Sequence, residues 1–228
     1  MPMTRTKATF APPVMEARRW LDGVSFSTDA PLINVSQAAP VAPPPTALRA
    51  EMARLVQDDP AAHLYGPVLG LPALRASVAA RWSIAYRGRV DAAQVAITAG
   101  CNQAFAAAIA CLTDQNDEVI LPVPWYFNHK MYLDMAGVKT VPLATGNGML
   151  PDPEQAAKLI TPRTKAIALV SPNNPAGVEY PEALITAFYD LAKRQKLALI
   201  IDETYRDFDS RTDAPHTLFQ DPDWSSTV

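Results

Sequence analysis

Apolar positions follow two rhythms along the chain. In the first they recur every three or four residues, as in Leu48, Met52, Leu55 and Val56, and again in Leu74, Val78, Trp82 and Ala85. That spacing lines one face of a helix. Between the two stripes "HLYGPVLGLP" (63–72) reads as a loop by its Gly and Pro content. From residue 95 onward, short apolar runs alternate with further helical stripes. The runs "VAIT" (95–98), "EVILP" (118–122), "TVPLA" (140–144), "KAIALVS" (165–171) and "LALIID" (197–202) predict strands. "NQAFAAAIACL" (102–112) predicts a helix with Phe105, Ala108, Ile109 and Leu112 on one face. A second helix runs from about Trp125 to Ala136 and is closed by Gly137. Asp152, Pro153 and Gln155 start a short helix through Ile160, and Pro181 opens one that carries Leu184, Ile185, Phe188 and Leu191.

Runs such as Leu197, Leu199, Ile200 and Ile201 belong to strands covered on both faces. Strands alternating with helices predict an α/β fold, a mostly parallel sheet flanked by helices, over residues 46–228. The first 45 residues are proline-rich and end in "AAPVAPPP" (38–45), the pattern of an irregular, extended N-terminal arm. Its arginines leave a transit-peptide reading open, against which Pro12 and Pro13 count by opposing an amphipathic helix there.

Composition narrows the class. With 228 residues, 49% of them apolar, the chain has material for one large core, and no uncharged run is as long as a membrane helix. A net charge of −3 with scattered basic residues argues against a nucleic-acid surface. Cys101 and Cys111 form no CxxC pair and the histidines are not clustered, so neither a disulfide framework nor a metal site is expected. A reducing, cytoplasmic setting fits this usage. The segment "MPMTRTKATFAPPVMEARRW" lacks the apolar stretch of a signal peptide.

The polar residues that periodicity does not explain fall where strands end, and open parallel sheets bind ligands outside the carboxyl ends of their strands. "TAGCNQA" (98–104) is a small-residue turn into a helix, a place where exposed amides can take an anion. It lacks GxGxxG, so a dinucleotide reading is poor. "PVPWYFNH" (122–129) collects three aromatics and a histidine; they either stack on a planar ligand or pack the helix onto the sheet. "SPNNPAG" (171–177) holds two asparagines that offer amide donors; a plain turn would not need both, although turn chemistry favours Asn. Asp202 ends the last strand, with Tyr205 three residues on. A carboxylate leaving the core needs a cation or several donors.

With these motifs at these spacings, the chain resembles the class I/II, fold-type I aminotransferases that use pyridoxal 5′-phosphate, close to the aspartate and aromatic branch. The resemblance runs from about Asn34 to Phe208. It implies the large cofactor-binding domain of that fold over 46–228, after an arm of residues 1–45. By resemblance Asp202 pairs with the protonated pyridine nitrogen, where it favours the electron-withdrawing form of the ring. Tyr205 and Asn174 hold the phenolic oxygen, and Tyr126 stacks on the ring. Gly100 and Cys101 give amides to the phosphate. His129 either backs Asp202 or is a helix-surface histidine. Cys101, at a helix start, is either acidified or a small packing residue. Tyr65 matches a tyrosine that reaches the phosphate of a neighbouring subunit, which implies a homodimer. Ala38 falls near the substrate carboxylate, where the family often has glycine, and Ala176 replaces a frequent threonine.

The family's imine-forming lysine sits in a Ser-x-Ser-Lys type turn beyond the aspartate. None of Lys7, Lys130, Lys139, Lys158, Lys165, Lys193 and Lys196 matches it. The chain therefore reads as an N-terminal portion without a catalytic lysine, expected to be inactive alone. The resemblance also places two later strands beside "VAIT", which would lack neighbours here. The expected activity is transfer of an amino group from an amino acid to a 2-oxo acid. A carbon–sulfur lyase or decarboxylase on the same scaffold, and a non-catalytic cofactor-binding or partner protein, are the alternatives.

Overall fold

A computed structural model describes residues 4–36 and 42–228. The chain divides into two compact units, one of Ala11–Val68 and one made of Leu69–Val228 with the stretch that ends at Phe10.

The Ala11–Val68 unit contains α1 (Pro13–Arg19) and α2 (Thr46–Asp58). The prolines expected to prevent a helix near residue 13 instead open one. Pro13 occupies the first turn, where its missing N–H would have no helical partner and its fixed φ is already helical. Neither helix has a buried residue, and Leu48, Met52 and Val56 form an exposed apolar stripe on α2.

The larger unit starts with α3 (Pro72–Ala85) and α4 (Cys101–Leu112), then alternates β1 (Glu118–Val123), α5 (Phe127–Ala136), β2 (Lys139–Ala144), α6 (Pro153–Leu159), β3 (Thr164–Val170), α7 (Glu182–Gln195) and β4 (Ala198–Asp202). The strands form a four-stranded parallel sheet in the order β2-β1-β3-β4. Side chains alternate across it with period two. Ile120, Ile167, Leu169 and Leu199 pack on one face against Ile185, Phe188 and Leu191 of α7. Val119, Leu121, Ala166 and Ala168 pack on the other against Phe105 and Ile109 of α4 and Leu133 of α5. Both faces are covered, as the unbroken apolar runs predict. Truncating a fully buried member such as Ile167 to alanine costs about 2–5 kcal/mol in a core of this kind.

The terminal signals act as expected. The Asp152 carboxylate accepts the Glu154 amide at 2.8 Å to start α6, and Gly137 closes α5 at φ 74°.

One predicted strand is absent. Residues 95–98 pair with no strand among the described residues; their backbone is satisfied otherwise. The Val95 carbonyl accepts the Arg75 guanidinium at 2.6 Å, and the Ile97 amide donates to the Leu69 carbonyl at 3.0 Å. At β4 the Leu199 amide donates to the Thr227 carbonyl at 2.6 Å.

Candidate functional site

Parallel register brings all four strands to one carboxyl-terminal rim, and the loops beyond it enclose a cavity of about 220 Å³. Its walls are Cys101 and Asn102 from the start of α4, Tyr126 after β1, Val170 and Asn174 at the end of β3, and Asp202, Thr204 and Tyr205 after β4. Five positions singled out in the sequence (Cys101, Tyr126, Asn174, Asp202 and Tyr205) thus meet around one space.

Asp202 is the most constrained of them. Its backbone carbonyl accepts the Ser171 amide at 3.0 Å, which joins the ends of β3 and β4. Oδ1 accepts the Thr204 hydroxyl at 2.7 Å and the Thr204 amide at 3.0 Å. Oδ2 is in ion-pair contact with His129 Nε2 at 3.1 Å, although the ring nitrogen approaches off the line of a well-formed hydrogen bond. Burial pushes the carboxyl up, but His129 and the two Thr204 donors together outweigh it and hold it at about 2. The result is a buried carboxylate, ionised at any ordinary pH, on the cavity wall.

His129 is buried, not on the helix surface. Its ring stacks on Phe105 at 3.9 Å and meets Tyr126 edge-on at 5.1 Å, so α4 and α5 hold it behind Asp202. Tyr126 is half-buried, and its hydroxyl accepts the Asn128 amide at 2.7 Å.

The two asparagines of the turn divide their labour. Asn173 is buried and structural: its Oδ1 accepts the Ala176 amide at 2.9 Å, and its Nδ2 donates to the Tyr180 hydroxyl at 3.3 Å. Asn174 faces the cavity.

At the start of α4, Gly100 adopts φ 90° and ψ 169°, a backbone region open essentially to glycine alone. A Cβ there would meet nothing within 4 Å. Among the described residues no side chain caps α4. The first-turn amides therefore have no side-chain cap, the arrangement that suits an anion. The Cys101 thiol is not acidified by this position. Burial, with the Asp202 charge nearby, pushes it to about 11 against a smaller pull from Thr204, so it stays protonated.

Tyr65 lies in the Ala11–Val68 unit and is fully exposed there. Ala38 lies outside the described residues. The structure adds Asn102, Val170 and Thr204 to the cavity wall. Of these only Thr204 carries a readable signal, the Asp-x-Thr spacing in which a carboxylate accepts the amide two residues on.

This donor set fits pyridoxal 5′-phosphate. A buried carboxylate stands ready for a ring N–H, an amide and a phenol for a ring oxygen, an aromatic for the ring face, and an uncapped helix start with glycine for a phosphate.

The Aminotransferase class I and II family model matches residues 30–223. The probable aspartate/prephenate aminotransferase of Thermus aquaticus is 36% identical over 62% of this chain and 37% of its own length. The arginine–pyruvate transaminase of Pseudomonas aeruginosa is 37% identical over 68% of this chain and 40% of its own length. The chain therefore spans about two fifths of these relatives. The crystal structure of aspartate aminotransferase from Thermotoga maritima superposes with a TM-score of 0.84 at 26% identity, covering 96% of this chain and 58% of that one.

Proposed function

Because the chain belongs to the class I and II aminotransferases, we propose that its cavity holds pyridoxal 5′-phosphate and serves the transfer of an amino group from an amino acid to a 2-oxo acid. The observation that carries this reading is Asp202, a buried and permanently ionised carboxylate on the wall of a cavity at the rim of a parallel sheet. When bound, the cofactor supplies an electron sink for the substrate's α-carbon.

The residues have separable tasks. Asp202 accepts the ring N–H and keeps that nitrogen protonated, with His129 and Thr204 fixing both of its oxygens. Tyr126 covers the ring face, and Asn174 and Tyr205 donate to the phenolic oxygen. The amides of Gly100 and Cys101 take the phosphate at the start of α4. Among the described residues that line the cavity there is no lysine. The set binds and orients the cofactor.

Substrate contact by Ala38, and Tyr65 completing the site of a second copy, belong to the same reading. The exposed Leu48, Met52 and Val56 stripe on α2 supports a homodimer, since large apolar stripes are costly to leave in water. Among the described residues no helix is long and apolar enough to cross a membrane. A cytoplasmic setting belongs to the proposal through the cysteine usage, two free thiols without a CxxC pair.

Titration of the purified chain with pyridoxal phosphate, followed by tryptophan fluorescence and cofactor absorbance, tests the reading. Saturable binding that Asp202→Ala weakens at least tenfold is expected. Absence of binding by the wild-type chain would refute it.

A further inference from the structure

The turn after β4 has two sides. Asp202, Thr204 and Tyr205 face the cavity. Glu203 and Arg206 turn instead into a second cluster, for which the cofactor reading has no use.

Its centre is Tyr86, the fully buried residue that caps α3. The Tyr86 hydroxyl donates to Glu203 Oε2 at 2.5 Å and accepts from Arg206 Nε at 2.8 Å. His216, also buried, sets Nε2 3.5 Å from Glu203 Oε1, while its Nδ1 accepts the Leu218 amide at 3.3 Å. That bond leaves a neutral ring's proton on Nε2, toward Glu203. The Arg206 guanidinium lies over the Trp82 and Tyr86 rings at 5.0 and 4.9 Å. Tyr86 in turn packs against His216 and Phe219 at 4.6 and 5.0 Å. Burial foremost, then the Glu203 charge, pushes the Tyr86 hydroxyl far above its usual range, so it is a permanent donor.

Three chain segments meet here: the end of α3, the turn after β4, and residues 216–219. The first and third are fixed together independently. The Arg89 amide donates to the Phe219 carbonyl at 2.9 Å, and a Cβ on Gly88 would stand 2.5 Å from that same group. Tyr86 thus comes from a braced platform and grips the turn at two points. Those points, Glu203 and Arg206, directly follow Asp202 and Tyr205 in sequence. A charged network of this type adds little stability over apolar packing, but admits fewer arrangements of the groups it joins.

We propose that Tyr86 is a positioning residue: through Glu203 and Arg206 it locks the 203–206 turn and so holds Asp202 and Tyr205 where they meet pyridoxal phosphate. The identity of that ligand rests on the function proposed above. The bond geometry of the lock does not.

The test compares the wild-type chain with Tyr86→Phe, Arg206→Lys and Tyr189→Phe. The last removes a hydroxyl that also donates to a carboxylate, Asp221 at 2.7 Å, but lies outside the cavity wall. Amide hydrogen exchange is measured without ligand, and Kd for pyridoxal phosphate by fluorescence titration. In Tyr86→Phe and Arg206→Lys, exchange at residues 204–208 should rise about tenfold with β1 and β3 unchanged, and Kd should rise about tenfold. Tyr189→Phe should leave the 204–208 exchange and Kd as they are. If Tyr86→Phe does not fold, Arg206→Lys, at a residue less buried than Tyr86, carries the comparison. Unchanged exchange at 204–208, or exchange that accelerates equally across the sheet, overturns the proposal. A wild-type chain that binds no pyridoxal phosphate overturns the functional reading instead. The ligand-free exchange then still decides whether Tyr86 holds the turn.

Discussion

His129 Nε2 lies 3.1 Å from Asp202 Oδ2, with the two side chains 2% and 5% exposed. The carboxylate has a close polar neighbour on the protein side, and the imidazole has a carboxylate oxygen beside it in an otherwise aromatic pocket between Phe105 and Tyr126. The cavity-facing side of Asp202 is then free to meet a ligand while its charge is already fixed from behind.

That arrangement makes stability depend on acid in a defined window. Asp202 titrates at about 2 in the folded chain, below the ordinary 3.8. A depressed folded value means the stabilisation is complete above the unfolded value and is lost as pH falls through the folded one. The amount is about 2 kcal/mol. Urea unfolding of wild type and Asp202→Asn should therefore show a stability difference that is flat above about pH 4 and shrinks toward pH 2. A difference that is constant across that range would contradict the lowered Asp202 carboxyl.

Thr204 should govern Asp202 from the other oxygen. Thr204→Val removes the 2.7 Å hydroxyl bond and keeps the 3.0 Å amide bond. The Asp202 carboxyl should move up toward the ordinary range, as read by carboxyl-carbon NMR against pH. Fold stability should change by only about 1 kcal/mol, because Thr204 is exposed. An unmoved titration would assign the depression to His129 and the Thr204 amide.

What was legible in the sequence and what was not divide on physical lines. β1 to β4 and α2 to α7 follow from local periodicity, which each segment carries in itself. Residues 95–98 have the same local pattern, but a strand exists only by pairing, and here Arg75 and Leu69 take the backbone bonds. Asp202, Tyr126 and Asn174 stood out because strand ends are where parallel sheets collect polar groups. Thr204 did not, since its hydroxyl acts through Asp202. Tyr86 could not, because its partner Glu203 is 117 residues away and no periodicity links them.

The asparagine pair gives a clean separation of fold from site. Asn173→Ala strips the Ala176 amide of its acceptor and leaves the Tyr180 hydroxyl one donor short, so it should destabilise the chain by about 1–3 kcal/mol. Asn174→Ala should leave thermal stability within about 0.5 kcal/mol and weaken pyridoxal phosphate binding. Melting curves and titrations on both variants check this, and the reverse pattern would reassign the two roles.

Gly100 joins backbone strain to ligand binding at a single atom. Its φ of 90° and ψ of 169° belong to a region that other residues reach at a cost of about 1–3 kcal/mol. Among the described residues, its two chain neighbours aside, no atom lies within 4 Å of the place an alanine methyl would occupy, so no clash with them adds to the backbone cost. Gly100→Ala should therefore lose stability by the backbone cost alone, or else relax the turn and swing the α4 amides away. Gly148→Ala is the control at another positive-φ glycine, left-handed at φ 70° and ψ 16°, with an open Cβ position and no place in the cavity wall. Both variants should melt at lower temperature. Only Gly100→Ala should weaken pyridoxal phosphate and blunt competition by inorganic phosphate, because only there does the altered backbone carry the phosphate amides. Equal phosphate competition in the two variants would place the anion elsewhere than at the start of α4.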